Sequence, residues 1–396
     1  MGAMDRSSAG LGDADNERGR RPRRHGFAWR VSVPFLVLAL ILAACAGADP
    51  EEEEAAPEPV EDAPEEDDAP EEDAPEEDAA EEECEDIETV PVGIVTSFNY
   101  VPLFVAVEEG IFLNHCIDLQ VDLYGSGQDT ATALQAGEVL FTVTPFGSMA
   151  SYEQGIPFRA IFSVMGDPTQ ERSDEPFGLL TYEGSGIEGW EDLRGADIGI
   201  LIGGTMDQYM SVALEAHGIE QDEVNRINVP LADTPQVMGS EDVDAVVVSE
   251  PWATVTGDLE NVIEIDRGGG YVGYTIMMSV SPEFADERPD LLQAMAAGYA
   301  EAAYRTRQDL DAAAEITTRW LDGLTVEQAR AALENVPYDP RLNQNIYSGW
   351  EHGQEILISE DRLTEVIPTE DIFISDYIDQ VQIDYPEFFE DLAPLP

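Results

Sequence analysis

Four short segments combine glycine, hydrogen-bonding side chains and aromatic rings, the mixture that lines small-molecule sites. Amide and hydroxyl side chains in them can form directional hydrogen bonds, and Phe98 and Tyr100 can stack on a flat group. Glycine lets backbone N–H groups approach a ligand. The alternative is that these residues only shape loops or pack in a core. The segments are Ser97-Phe98-Asn99-Tyr100, Ser126-Gly127-Gln128-Asp129, Thr144-Pro145-Phe146 and Ile202-Gly203-Gly204-Thr205-Met206-Asp207.

The residues needed for common catalytic mechanisms are missing or scattered. The chain contains no lysine, which excludes a lysine Schiff base and pyridoxal-phosphate chemistry. Its histidines, at positions 25, 115, 217 and 352, have no metal-binding spacing. Neither a GxSxG elbow nor a phosphate-binding Walker loop occurs. The sequence therefore predicts a binding protein with no catalytic residues, no cofactor and no metal.

Short apolar runs alternate with helical patterns after residue 88, which predicts an α/β fold. One unit has predicted strands at 89–96, 117–124, 139–144 and 158–165, with helices at 102–109, 129–136 and 147–154. The next has strands at 178–182, 197–201, 225–229, 245–248 and 262–265 and a helix at 205–217. Residues 274–280 lead out to helices at 289–306, 310–321, 326–335 and 343–358.

This order predicts two lobes joined by two crossing segments, near Gly178 and Tyr274. Residues 89–177 form the first part of lobe 1, residues 178–274 form lobe 2, and residues 275–396 complete lobe 1 with C-terminal helices. Ligands of open α/β sheets lie beyond the carboxyl ends of the strands. The four segments follow predicted strands, so we expect them to meet in a cleft between the lobes.

The N-terminus has the pattern of an export signal. Residues 18–30 are rich in arginine, and residues 31–44 are apolar apart from Ser32. A membrane-spanning helix needs about 20 apolar residues, so this run is too short to be one. Leu42-Ala43-Ala44-Cys45 resembles a bacterial lipobox. We predict a signal peptide at 1–44 and lipidation of Cys45, which anchors the protein outside the cell membrane; the alternative is a chance cysteine at an ordinary cleavage site.

Acidic residues dominate the chain, whose formal net charge is −64. Residues 49–88 hold 24 Asp and Glu and no Lys or Arg, so residues 45–88 are predicted to be an extended, disordered tether. A tether that binds a cationic partner is the alternative. From residue 89 onward, 12 arginines face 55 acids. This charge excludes a basic nucleic-acid site, and it indicates a salt-rich habitat or a very soluble surface protein.

Cys84 and Cys116 are the other two cysteines. Each precedes a predicted strand, and in an exported protein such a pair predicts a disulfide. If the two strands are parallel neighbours, their starting ends are close enough to bridge. Two free thiols are the alternative.

Several short motifs follow one another in a fixed order. They are residues 102–106 with 109–112, 124–127, 134–138, 186–187 with 190–195, and Asp244-Ala245-Val246-Val247 with Glu250-Pro251-Trp252-Ala253. This order resembles one family over about residues 90–350: the solute-binding proteins of ABC importers in the nitrate, sulfonate and taurine group, which includes the SsuA/THI5-like (NMT1-type) class.

The resemblance implies a type II periplasmic-binding-protein fold, a monomer, an ABC permease as partner, and capture of a solute by lobe closure. It places the ligand at the same segments and adds Glu250 and Trp252 to the predicted site. The site then comprises Phe98, Asn99, Tyr100, Ser126, Gly127, Gln128, Thr144, Pro145, Phe146, Gly204, Thr205, Met206, Asp207, Glu250 and Trp252.

The solute itself is left open between two classes. A sulfonate, taurine or nitrate would fit the family, although no arginine lies in these segments. The acids Glu250, Asp129 and Asp207 beside aromatic rings suit a cationic or nitrogen-rich heteroaromatic solute, such as a pyrimidine-type thiamine precursor; the alternative is that they are helix caps or part of the acidic surface. A pyrimidine-forming enzyme on the same fold is the main rival, disfavoured by the absence of lysine. A structural or adhesive surface protein is the third possibility.

Overall fold

The protein is described here by a computed structural model, which covers residues 84, 86–95, 97–124, 127–202 and 205–396. Its ten strands form two five-stranded sheets. The first sheet contains β1 (Glu88–Val95), β2 (Ile117–Tyr124), β3 (Phe141–Pro145), β4 (Arg159–Met165) and β10 (Ile276–Val280). The second contains β5 (Phe177–Tyr182), β6 (Asp197–Ile200), β7 (Asn225–Asn228), β8 (Ala245–Ser249) and β9 (Val262–Arg267).

Both sheets are mixed. The strand orders are β2-β1-β3-β10-β4 and β7-β6-β8-β5-β9. In the first sheet β10 returns from the second and pairs antiparallel with β3 and β4. In the second, β5 pairs antiparallel with β8 and β9. The predicted two-lobed α/β fold with a helical C-terminal section is confirmed.

The helices of the described residues lie between the strands and after β10. They are α1 (Val101–Glu109), α2 (Gly127–Ala136), α3 (Met149–Glu153), α4 (Thr205–Ala216), α5 (Thr234–Gly239), α6 (Trp252–Gly257), α7 (Pro282–Glu287), α8 (Pro289–Gln308), α9 (Leu310–Trp320), α10 (Val326–Leu333), α11 (Gln344–Ser359), α12 (Thr369–Ile372) and α13 (Asp376–Asp384). The short helices α5, α6 and α7 carry too few turns for a visible period, and the sequence did not predict them.

The C-terminal helices have local start signals. Asp309 accepts a hydrogen bond from the Ala312 amide at 2.9 Å, and Thr325 with Gln328 forms a capping box at α10. Helix α8 packs on the first sheet, where the Tyr299 ring stacks on Phe162 with centroids 4.7 Å apart. The chain therefore returns to cover the sheet with which it began.

Two segments, residues 166–176 and 268–275, connect the sheets. Gly178, predicted to lie near a crossing, is within β5. Asp174 is 1% exposed and joins the segments by accepting the backbone N–H groups of Gly270, Tyr271 and Val272 at 2.9, 2.6 and 3.1 Å. Burial raises the pKa of Asp174, although these three bonds act in the opposite direction.

The start of the first sheet carries a cross-link. Strands β1 and β2 are parallel neighbours, with Glu88 opposite Ile117. A disulfide joins Cys84 to Cys116, whose Cα atoms are 5.4 Å apart. Cys84, four positions before β1, is therefore tied to the residue directly before β2.

None of the helices in the described part of the chain is both long and apolar enough to cross a membrane.

Candidate ligand-binding site

A cavity of about 400 Å³ lies where loops of both sheets meet. Segments after β1, β3, β6 and β8 contribute to it, together with the second crossing segment and the loop between α9 and α10. Its lining consists of Val95, Ser97, Phe98, Asn99, Tyr100, Pro145, Thr205, Met206, Leu231, Ser249, Glu250, Pro251, Trp252, Tyr274, Ile276, Leu321, Asp322 and Leu324. Its size and largely apolar wall are typical of small-molecule sites.

The turn after β1 is held in place by its own polar side chains. The Ser97 hydroxyl accepts the Asn99 N–H at 3.3 Å, and Asn99 Nδ2 donates to the Tyr274 hydroxyl at 2.9 Å. The second bond links this turn to the second crossing segment. Burial raises the pKa of Tyr274 to about 12, so this phenol stays neutral.

Tyr100 is 4% exposed and lines the same cavity. Burial raises the pKa of its hydroxyl well above the ordinary value for tyrosine. Among the described residues no side chain or backbone group hydrogen-bonds this hydroxyl. It therefore offers the cavity a neutral donor and acceptor.

Glu250 follows β8 and is 4% exposed. Four groups of the protein donate to its carboxylate: Arg267 Nη1 at 2.5 Å, Asn335 Nδ2 at 2.8 Å, and the Thr254 N–H and hydroxyl, each at 3.1 Å. Burial raises the pKa of Glu250, and the Arg267 guanidinium opposes that shift. The carboxylate is thus committed to protein partners, one of which, Asn335, comes from the C-terminal helical section.

Trp252 begins α6 directly after Glu250-Pro251. The loop of residues 321–324, between α9 and α10, lies beside Trp252. A Cβ atom added at Gly323 would lie 3.5 Å from Trp252 Cη2, an ordinary contact distance. This loop therefore covers the tryptophan, and Leu321, Asp322 and Leu324 face the same cavity.

Eight residues of the predicted site line this cavity: Phe98, Asn99, Tyr100, Pro145, Thr205, Met206, Glu250 and Trp252. Three others lie outside its lining. Gly127 begins α2, Thr144 shares a buried 2.5 Å hydrogen bond with Ser279, and Asp207 pairs with Arg226 at 2.9 Å. Ser126, Gly204, Cys45 and the side chains of Gln128 and Phe146 lie outside the described part of the structure.

Sequence reasoning missed the rest of the lining. Tyr274 lies in the second crossing segment and Ile276 begins β10. The sequence predicted these residues to connect the two lobes and did not predict that they line the cavity. The loop of residues 321–324 joins two helices and follows no strand, so the strand-end rule could not nominate it. Its Asp322-Gly323 pair, between two helical patterns, was the one local signal for a turn.

No group of three or more histidine, cysteine or acidic side chains in the described ranges is arranged to hold a metal ion.

The chain matches a known protein family over much of its length. Residues 97–313, more than half of the chain, match the family described as NMT1/THI5 like. The chain belongs to the NMT1/THI5-like family. The matched range begins at the turn after β1 and ends within α9, so it includes the second sheet and every strand of the first sheet except β1. No curated protein sequence matches this chain.

Solved structures share the fold at low sequence identity. The aliphatic sulphonate binding protein SsuA from Escherichia coli is 14% identical with a TM-score of 0.62, covering 72% of this chain and 91% of SsuA. The nitrate-binding protein NrtA from Synechocystis is 14% identical with a TM-score of 0.59, covering 77% and 91%. The desulfurization enzyme DSZB is 17% identical with a TM-score of 0.56, covering 75% and 99%.

Proposed function

We propose that this NMT1/THI5-like protein is the solute-binding component of an ABC importer and that it captures a small molecule in the cavity described above. The observation that carries the proposal is the origin of the cavity wall. Both sheets contribute to it, through the turn after β1 on one side and the Glu250–Trp252 segment on the other. A ligand there contacts both lobes, and such contacts favour a closed arrangement over an open one.

The charges around the cavity bear on the solute class. Among the described lining residues there is no arginine or histidine. A sulfonate or nitrate would then depend on neutral donors and on the N-terminus of α4, where Thr205 and Met206 line the cavity. A pyrimidine-type solute needs no basic partner and can stack on Trp252. The aromatic wall, which has no basic side chain among its described residues, favours the second class.

An enzyme on this fold is the second candidate, because DSZB shares the architecture. Fold likeness does not transfer chemistry. The absence of lysine excludes a Schiff-base route, and Glu250, the buried carboxylate of the cavity, is bonded to four donors. Incubating the protein with each bound compound and following product formation tests this candidate directly.

The cellular setting belongs to the same proposal. We infer export by the signal at 1–44, lipidation at Cys45, a tether at 45–88 and delivery of the solute to a membrane permease by a monomer outside the cell. The lipobox-like Leu42-Ala43-Ala44-Cys45 supports the anchor. Mass spectrometry of the mature N-terminus tests it: a diacylglycerol on Cys45 is expected, and Cys45→Ser should release the protein from membranes. The strongly acidic composition supports the inference that the protein functions in a salt-rich medium.

The test of binding is a thermal-shift screen followed by calorimetry. A solute at 100 times its dissociation constant adds about 2.7 kcal/mol to stability, which is readily measured. Replacing Trp252 with alanine should weaken the best hit by about 10- to 100-fold, because an aromatic wall contributes roughly 1.5–3 kcal/mol.

Tyr385→Ala is the matched control, since Tyr385 is an exposed aromatic residue that does not line the cavity. It should leave the affinity within twofold. Equal affinity of the Trp252→Ala variant and the parent protein would place the ligand elsewhere.

A further inference from the structure

The cavity holds two carboxylates, Glu250 and Asp322, and their situations differ. The negative charge of Glu250 is matched by Arg267, and its oxygen atoms accept from Thr254 and Asn335 as well. A solute would have to displace one of these donors to bond that carboxylate. Glu250 is therefore part of the wall and is not a free acceptor.

Asp322 has no such partner. It lies at the exposed mouth, on the loop of residues 321–324, and no described residue forms an ion pair or hydrogen bond with its side chain. Because the chain contains no lysine and no arginine lines the cavity, no described protein cation neutralises it. Its charge is left for the solute or for solvent ions.

A second, independent observation points to a ligand in the same place. The Tyr100 side chain is 4% exposed and lines the cavity, and its hydroxyl has no hydrogen-bond partner among the described residues, so this donor and acceptor is available to a ligand. Trp252 and Tyr274 add aromatic rings to the same space. Aromatic faces attract cations, so the wall and the carboxylate favour the same sign of charge.

We propose that the solute is a small organic cation, an amine or a protonated nitrogen heterocycle, whose positive group faces Asp322 and whose flat or apolar body packs on Trp252 and Tyr100. This inference rests on the proposed solute-binding function and adds the charge of the ligand to it. An oxyanion would instead meet one unneutralised carboxylate and no basic side chain in the described lining. Asp322 is thus a specificity-determining residue.

The experiment compares matched probes on the full chain at one fixed ionic strength. The probes are choline, benzylamine and 4-aminopyrimidine as cations or protonatable bases, 3,3-dimethylbutanol as the neutral isostere of choline, and ethanesulfonate and nitrate as anions. Thermal shift ranks them, and calorimetry gives the dissociation constant of the best one. We expect a cation to rank first, and Asp322→Asn to raise its dissociation constant about tenfold.

Asp242→Asn is the matched control, because it removes the same charge from an exposed loop of the second lobe that does not line the cavity. It should change the dissociation constant less than twofold. Unfolding curves of both variants check that each is folded, and Glu250→Gln is not used because that residue belongs to the wall.

The outcomes separate the two proposals. A sulfonate or nitrate as the best ligand, weakened by Trp252→Ala, would keep the solute-binding function and overturn the cation. Equal effects of Asp322→Asn and Asp242→Asn would also overturn it. If no probe of either charge binds, or if binding survives Trp252→Ala unchanged, the proposed function at this cavity fails, and the inference about its ligand fails with it.

Discussion

The segment after β8 and the loop between α9 and α10 line one cavity, and each carries a carboxylate in a different environment. Glu250 is 4% exposed, with an arginine and two other side chains around it. Asp322 is exposed and unpaired within the described residues. A buried carboxylate is stable only when hydrogen-bonding or charged groups of the protein compensate for its lost hydration, whereas an exposed carboxylate is solvated and needs no protein partner. The difference shows that residue type alone does not identify a ligand-binding acid.

The largest expected effect comes from breaking the buried side of this pair. Glu250→Ala leaves the partly buried Arg267 with Glu264 as its one ion-pair partner among the described residues, and it leaves the Asn335 amide without its acceptor. We expect the free energy of unfolding to fall by about 3 kcal/mol, as when one member of a buried ion pair is removed. Denaturant titration at neutral pH measures this.

Asp322→Ala is the counterpart on the exposed side, and it should change the free energy of unfolding by less than about 0.5 kcal/mol. If the two substitutions were to destabilise the protein equally, the contrast between a structural and an available carboxylate would be lost.

A smaller effect should come from Asn335→Ala, which removes the hydrogen bond that the helical section donates to Glu250. One such bond contributes about 1 kcal/mol, so closure and solute affinity should weaken about fivefold. Calorimetry gives the affinity, and small-angle scattering follows the lobe arrangement.

Gln328→Ala serves as its control. The Gln328 amide donates to Asp258 of the second lobe at 3.2 Å, but at an exposed position. Loss of this hydrogen bond should weaken closure and solute affinity less than Asn335→Ala does. A larger change for Gln328→Ala than for Asn335→Ala would move the main interlobe contact away from Glu250.

The smallest effect is a pH dependence. Burial raises the pKa of Glu250 in the folded state above its value in the unfolded chain, so the unfolded chain ionises first as the pH rises. Its contribution to stability is then fully present below about pH 4 and is lost as the pH rises through the folded-state value. The free energy of unfolding of the parent protein, minus that of Glu250→Gln, should therefore decrease as the pH is raised from about 4 to about 7. Denaturation of both proteins across this range measures the difference. A difference that rises with pH would mean that Arg267 outweighs burial.

The strand-end rule explains why so much of the cavity could be nominated in advance. Phe98, Pro145, Thr205 and Glu250 each follow a strand that an apolar run announced, and parallel strands bring their carboxyl ends to one edge. The fold class followed from the same alternation. The orientation of β10 did not, because a returning strand looks alike in either direction.

What escaped prediction depends on distant contacts. Two of the three partner residues of Glu250, Arg267 and Asn335, are 17 and 85 residues away, and no local pattern connects them to it. In the sequence Asp322 resembles any other turn residue of an acidic chain. Its place in the cavity lining depends on the packing of the C-terminal helices over the first sheet. Side chains whose role is set by such long-range packing are not visible in periodicity or spacing.

Asp174 has a consequence for how the lobes can move. Its carboxylate holds three consecutive amides of the other crossing segment, so the two segments are fastened side by side. Two independent segments would allow one lobe to twist, slide or tilt against the other. Because these two segments are joined, we expect the lobes to rotate about a single axis. Asp174→Asn would be expected to loosen that axis and to broaden the range of lobe orientations without touching the cavity.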